Sequence, residues 1–463
     1  MPQDPSTAHY VLLKDALERH RSGRLEEAAQ RYRQILVSDP GHADCLHLLG
    51  MVAFQRGDAE QAVELIRRAI AIHSTAASYY SNLGNVLQTQ EKMAEAEACY
   101  RRALELRPDQ AEVHVNLGNI LKAQGAVDAA LDSYRSARSL NPALAEARVA
   151  ESTTLLLQGE FGTGWEGFDA RWRTREYDTR PRNYPQPRWR GERIASGRVL
   201  IWGEQGVGDE VMFTGLLRDV LAVGNECVLD CDARLKPLFA RSFPGVEVVS
   251  GYDPELLPGM EIAAHLPSGS LPGLFRRKLE DFANTASPYL IADEAKVKRL
   301  RARYDDGHTL IGIAWHSNNK TSGHRRSIEL ARLAPLFAQT GVRWVSLQYG
   351  DPIAQHAQAN AAGAPLIIDA EVDQLADLDG FAAQVAAMDL VVTIDNSTAH
   401  MAAALGVQTW TMLPFAPDWR WLLAREDSPW YPTMRLFRQR EPGQWKPVLE
   451  QLQTALASNF PRP

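Results

Sequence analysis

SNLGNVLQTQEKMAEAEACYRRALELRPDQ, residues 81–110, reads as two helical segments around a short polar break, and its small residues recur along the chain at a fixed distance. Gly84 is matched by Gly50 and Gly118, Ala96 by Ala62 and Ala130, and Ala103 by Ala69 and Ala137, all at a period of 34 residues. Pro108 is matched by Pro40 and Pro142, with Ser74 at the remaining position. Small residues let two antiparallel helices approach closely, and a proline closes the second one. An earlier unit over about residues 9–42 lacks the glycine but keeps Ala28, Tyr32 and Pro40 in register. A degenerate unit is expected through GEFGTGWEGFDARWR (159–173), where Trp165, Phe168 and Trp172 recur at helical spacing and would cap the stack. The pattern predicts an α-solenoid over residues 8–175.

These units resemble the tetratricopeptide repeat. A solenoid of this kind offers a concave face to extended peptides, so a protein partner is expected. Asn82 and Asn116 occupy equivalent positions one repeat apart. They are either helix-turn contacts or rungs of an asparagine ladder that binds a peptide backbone. The latter is similar to the superhelix of the O-GlcNAc transferases.

Bulk properties narrow the function. The chain has 463 residues, 45% of them apolar, enough for two or three domains with substantial cores. Its formal net charge of −7 argues against general nucleic-acid binding. Cys227 and Cys231 are separated by three residues, a spacing that fits neither a zinc knuckle nor a redox pair, and all four cysteines are expected to be reduced. No run of eighteen apolar residues and no leader pattern occur, so a cytoplasmic location without a transmembrane segment is expected.

Eight arginines lie between Arg171 and Arg193, with Pro181, Pro185 and Pro187. The prolines mark residues 176–197 as a linker, and its arginines can hold an anionic ligand or pack against acidic neighbours. From Arg198 onward short apolar runs alternate with helical segments: RVLIW, ECVLD, VEVVS, EIAAHL, LIGIAW, VRWVSLQ, PLIID, LVVTID and TWTML. β-Branched runs with intervening helices predict parallel sheets. Two Rossmann-like lobes are expected, over residues 198–295 and 296–463, so the fold class is α followed by α/β. Trp445 to Asn459 is amphipathic and is expected to cross back to the first lobe.

Ligands of such sheets bind beyond the carboxyl ends of strands. Four loops are therefore informative, those after Trp202, Trp315, Gln348 and Ile394. After Ile394, Asp395 is followed by Asn396, Ser397 and Thr398, which can cap a helix carrying His400 in its first turns. Such a helix N-terminus suits a pyrophosphate. The loop after Trp315 places Lys320, His324, Arg325 and Arg326 on the same rim, and Gln348 ends the neighbouring strand. The turn after Trp202, GEQGVGDE (203–210), carries Glu204, Gln205, Asp209 and Glu210, which is unsuited to a phosphate cradle. Asp209 either caps the next helix or serves as a base. Trp419 and Arg420 follow the last strand and are expected to line the cleft or hinge, or, for the tryptophan, to pack in the core. Asp230 and Asp232 form a D-x-D without a third acidic ligand, so no metal and no cofactor is expected.

GVGDEVMFTGLL (206–217) resembles the strand-to-helix turn of the heptosyltransferases, and IDNSTAHMAAALG (394–406) resembles their donor-phosphate motif, with Asn396 and Ser397 departing from its pattern. The resemblance implies a GT-B fold and a metal-independent transfer from a nucleotide-sugar, with Asp209 as the base. It implies donor binding by Asp395, Asn396, Ser397 and His400, with Arg326 near the family's phosphate-binding lysine. Repeats joined to this turn are similar to a bacterial family of repeat-bearing glycosyltransferases, some of which modify proteins such as flagellin. The expected function is an inverting glycosyltransferase acting on a protein. The alternatives are transfer to a lipid or polysaccharide, or an inactive repeat scaffold.

Overall fold

A computed structural model of the chain describes residues 5–175, 177, 182–251, 259–283, 285, 287–319 and 322–460. The chain forms two compact units, residues 1–151 and 152–463.

The first unit is a row of antiparallel helix pairs: Pro5–Arg21 with Leu25–Ser38, Ala43–Gln55 with Ala59–Ile72, Ala77–Thr89 with Met93–Leu106, and Ala111–Ala123 with Val127–Leu140. One steric device joins each pair. A Cβ on Gly84 would lie 2.6 Å from the Tyr100 ring, and one on Gly118 2.5 Å from the Tyr134 ring, distances no real side chain tolerates. In the second pair Gly50 faces Ile66, and in the first Ala16 and Tyr32, at the same repeat positions, are both buried in the core of the array. Each large residue is fully buried. The tyrosine hydroxyls remain hydrogen-bonded, Tyr100 to Asn85 and Tyr134 to Asn119, both at 2.8 Å. Here 34-residue periodicity becomes geometry: the small residue admits the ring, and the asparagine satisfies its hydroxyl.

Among its described residues the second unit contains ten strands in two sheets. The first holds β1 (Arg198–Trp202), β2 (Cys227–Asp230), β3 (Glu247–Val249) and β4 (Ile262–Pro267), in the order β3-β2-β1-β4. The second holds β5 (Thr309–Ile313), β6 (Val342–Ser346), β7 (Leu366–Ile367), β8 (Leu390–Ile394), β9 (Gln408–Leu413) and β10 (Met434–Arg438), in the order β10-β9-β8-β5-β6-β7. Every pairing is parallel. Helices cover these sheets, so β1, β2, β5 and β8 are almost wholly buried, as their continuous apolar runs require. The second sheet follows the order of dinucleotide-binding folds, in which strand order reverses between β5 and β8, the point beyond which ligands of such sheets generally bind.

Three expectations are corrected. The unit boundary falls at 151/152 and not near 175, because Phe161, Trp165 and Phe168 join the core of the second unit instead of capping the repeats. Trp165 meets Trp419 edge-on at 5.2 Å, and its indole N–H donates to the Arg276 carbonyl at 2.8 Å. The closing helix, Lys446–Asn459, buries Val448, Leu449 and Leu452 against the core of the second sheet and does not return to the first. β10 was absent from the expected strands. Among the described residues no helix is long and apolar enough to cross a membrane.

Candidate functional site

The turn after β1 is shaped by its own carboxylates. A Cβ on Gly203 would fall 2.6 Å from the Glu210 carboxyl, so the glycine leaves room for that side chain in its present position. Gln205 takes a left-handed φ of +66°, and the helix Val207–Thr214 follows. That helix packs on Ser397–Ala404 from the second lobe. At their crossing a Cβ on Gly208 would sit 3.1 Å from the His400 ring and 3.4 Å from Ser397 Cα. Gly208 of GVGD thus serves close helix packing, whereas a Cβ on Gly206 would meet nothing within 4 Å. Tyr289 secures the same junction, its hydroxyl donating to the Val211 carbonyl at 3.0 Å and its N–H to Ala404 at 3.0 Å.

On the second lobe β8 ends at Ile394, and Asn396 caps the helix Ser397–Ala404. The Asn396 Oδ1 accepts from the Ala399 N–H at 3.3 Å and from the Thr393 hydroxyl at 3.0 Å. Its Nδ2 and the Thr398 Oγ1 are buried without a partner, at 7% and 0% residue exposure. Such atoms are uncommon in a native core, where polar groups are paired with protein or ordered water. Ser397 is half-buried in the first turn. Arg326, in the short helix Gly323–Arg326, reaches across to Asp395, donating from Nη1 to its carbonyl at 2.8 Å and approaching its carboxylate at 3.2 Å. Arg325 is exposed beside it, and Lys320 lies outside the described residues.

Arg420 joins the two lobes. From the 3-10 turn Trp419–Trp421 beyond β9, its Nη1 donates to Asp418 at 2.7 Å and its Nη2 pairs with Asp209 of the first lobe. Its guanidinium lies 4.3 Å over the Trp419 ring, and its Nε is buried without a partner. Leu422 and Ala424, just beyond, hold left-handed φ values of +53° and +51°. Burial raises the Asp209 carboxyl above the usual carboxylate range, although Arg420 opposes the shift. Burial likewise raises Asp395 against the pull of Arg326. Burial works to raise Asp418 too, but Arg420 and its backbone N–H hold that carboxyl below the usual range. Two guanidiniums therefore face three carboxylates, two of them with a raised affinity for protons.

Several expected site residues serve the fold instead. Glu204 is buried under Arg171, whose Nε and Nη2 bind its two oxygens at 2.9 and 2.7 Å, while the Gly269 N–H donates at 2.7 Å. It therefore faces away from the cleft. Gln348 is consumed by backbone: its Oε1 accepts from Trp315 and His316 N–H at 3.0 and 2.8 Å, and its Nε2 donates to the His316 and Tyr349 carbonyls. His400 stacks on Trp421 at 5.1 Å, and its Nδ1 meets the Tyr431 hydroxyl at 2.9 Å. Burial and the Arg420 charge push its pKa down to about 3, which favours the neutral ring. Trp419 is core, 6% exposed. Gln205 is exposed at the turn.

Asp230 is fully buried and paired with Arg182, and Asp232 binds Arg234 at 2.6 Å. Arg188 pairs with Asp169 in the same way, so these linker arginines pack against acidic neighbours. In the repeat unit the Asn82 Nδ2 contacts His47 Nε2 at 2.8 Å, and the Asn116 Nδ2 donates to Asn85 at 3.0 Å. Both asparagines thus stitch a helix to the one a repeat earlier. Asp418 and Tyr431 went unrecognised in the sequence. Asp418, the second residue of PDWRWLL (417–423), reads locally only as a capping residue, and nothing local marks Tyr431.

The tetratricopeptide repeat family matches residues 13–77 and 74–143. Protein FlbA of Caulobacter vibrioides is 33% identical over 321 residues, covering 66% of this chain and 54% of FlbA. The chain thus spans about half the length of that relative, and a match of this extent exceeds the repeat unit and takes in part of the second unit. Human tetratricopeptide repeat protein 7A is 34% identical over 84 residues, 18% of this chain and 10% of that protein. Among solved structures, a crystal structure of MamA aligns with 34% of this chain and 91% of its own at 21% identity, with a TM-score of 0.32. Residues 13–143 of this chain are tetratricopeptide repeats.

Proposed function

We propose that the second unit is a nucleotide-sugar-dependent, metal-independent glycosyltransferase of GT-B type, and that the repeats recruit a protein acceptor. One observation carries this reading. The N-terminus of Ser397–Ala404, with its unpaired Asn396 amide and Thr398 hydroxyl, stands beside Arg326 and Arg420 and opposite a first-lobe carboxylate, Asp209. Free amides at a helix start and two guanidiniums suit a diphosphate. A carboxyl with raised proton affinity suits general-base work.

In the reaction the acceptor hydroxyl oxygen attacks the anomeric carbon while its proton passes to an Asp209 oxygen. The carbon–oxygen bond to the diphosphate breaks, its electron pair leaving with the phosphate oxygen, and the anomeric configuration inverts. The helix N-terminus and the guanidiniums stabilise the charge growing on the leaving group. Asp230 and Asp232 take no part, since each is tied to an arginine.

A second reading, a repeat scaffold whose second unit has no catalysis, is favoured by the excess of carboxylates over guanidiniums in the cleft. Differential scanning fluorimetry of the full chain with UDP, GDP, CDP and ADP separates the two. Stabilisation by one nucleotide, followed by loss of sugar transfer in Asp209→Asn, supports the enzyme. No response to any of them leaves the scaffold.

A further inference from the structure

We propose that Arg420 changes partners during the reaction: it holds Asp209 while the cleft is empty and turns to the donor's diphosphate when that binds, releasing Asp209 to act as the base. This inference rests on the glycosyltransferase reading and adds a catalytic role for Arg420 to it.

Arg420 is the one guanidinium, among the described ion pairs of the cleft, that links the second lobe to the first-lobe carboxylate. Its three nitrogens are unequally engaged. Nη1 is fixed by Asp418 on the same turn, Nη2 is on Asp209, and Nε has no partner although it is buried. A guanidinium held at one corner and stacked on Trp419 can pivot about that anchor without leaving its ring. The backbone on both sides of the contact is held in left-handed conformations, at Gln205 on one lobe and at Leu422 and Ala424 on the other. Non-glycine residues stay in that region only where surrounding contacts over-determine them.

The pairing has a chemical consequence. A carboxylate bound to a guanidinium binds a proton more weakly, so Asp209, although burial already raises its carboxyl, is a weaker base while Arg420 stays with it than once it is released. An incoming diphosphate offers more charge and more acceptor oxygens than one carboxylate, and it competes for the same Nη2. With Arg420 on the phosphate, the desolvated Asp209 loses its counter-charge and gains basicity when an acceptor can be used.

Competition gives a signed test. Titration calorimetry would measure binding of the nucleoside diphosphate that stabilises the wild-type chain, in wild type, Asp209→Asn, Arg420→Gln and the double variant. Asp209→Asn removes the competitor and should bind about threefold tighter or better, the scale of a partly exposed ion pair. Arg420→Gln should bind about tenfold weaker or worse, as for a lost charged hydrogen bond. In the double variant the asparagine should bring no gain. Asp209→Asn binding within twofold of wild type, or an undiminished gain in the double variant, would overturn the exchange while leaving the glycosyltransferase reading intact. If Arg420→Gln does not fold, the comparison of Asp209→Asn with wild type decides alone. Absence of nucleotide binding by wild type would remove the reading and the exchange together.

Discussion

Glu210→Gln should stabilise the second unit at neutral pH and leave it nearly unchanged in acid. Glu210 is 8% exposed, wedged over Gly203, and its Oε2 accepts from the Asp232 N–H at 2.9 Å. Burial pushes its carboxyl from an ordinary 4.5 up to about 7, against the pull of the Asp232 N–H. Between these values the folded protein keeps a proton that the unfolded chain has released, so stability falls as pH rises through the window. The loss is complete once pH exceeds about 7. At about 1.4 kcal/mol per pH unit, the loss is about 3 kcal/mol. Glutamine has the shape and the donor of the protonated acid and cannot ionise. The variant should therefore match wild type near pH 4.5 and exceed it by about 3 kcal/mol near pH 8. All eleven tryptophans lie beyond residue 160, so urea unfolding followed by tryptophan fluorescence reports the second unit alone. A difference that stays constant from pH 5 to pH 8 would refute this account of Glu210.

Gly208→Ala should destabilise the second unit by about 1–3 kcal/mol by the same assay, because the new methyl group meets His400 and Ser397 at the helix crossing. Unchanged stability would mean that the crossing is loose. Gly118→Ala should lower the thermal midpoint of the helical circular dichroism signal, since overpacking against Tyr134 at about 1–3 kcal/mol outweighs the gain of about 1 kcal/mol in helix propensity. A raised midpoint would show that the ring moves aside at little strain. Sugar transfer, once a donor is known, should persist in EDTA; loss of transfer with recovery on adding manganese would return Asp230 and Asp232 to consideration.

The repeat array was legible because each helix pair repeats one local pairing of small and large residues, so the period carries the packing. Nine of the ten strands were equally plain as buried apolar runs. The missed one, β10, reads MRLFR: it is short, lies at a sheet edge, and has an exposed arginine at its second position. At the site, the helix start at Asn396 and the presence of Arg326 on the same sheet rim were readable, but the pairing of Arg326 with Asp395 was not. What stayed hidden was which polar groups the fold would use for itself. Glu204 is claimed by Arg171, His400 by Tyr431 and Gln348 by the backbone of Trp315 and His316, all at least 31 residues away. A motif shows a residue type at a place, and only the folded neighbourhood shows whether its bonds are already taken.

The copied junctions of the array also bear on how such a chain can change. Gly84 over Tyr100 with Asn85, and Gly118 over Tyr134 with Asn119, are the same contact made inside two successive helix pairs, so each pair carries its own packing. A 34-residue cassette duplicated or deleted keeps that packing and alters only the contacts between successive pairs, where Asn82 meets His47 but Asn116 meets Asn85. Recombination within the gene can thus lengthen or shorten the solenoid in whole steps while the interior of every pair stays native. The length of surface that the array presents is set by copy number, and it can drift independently of the residues around Asp209 and Arg420.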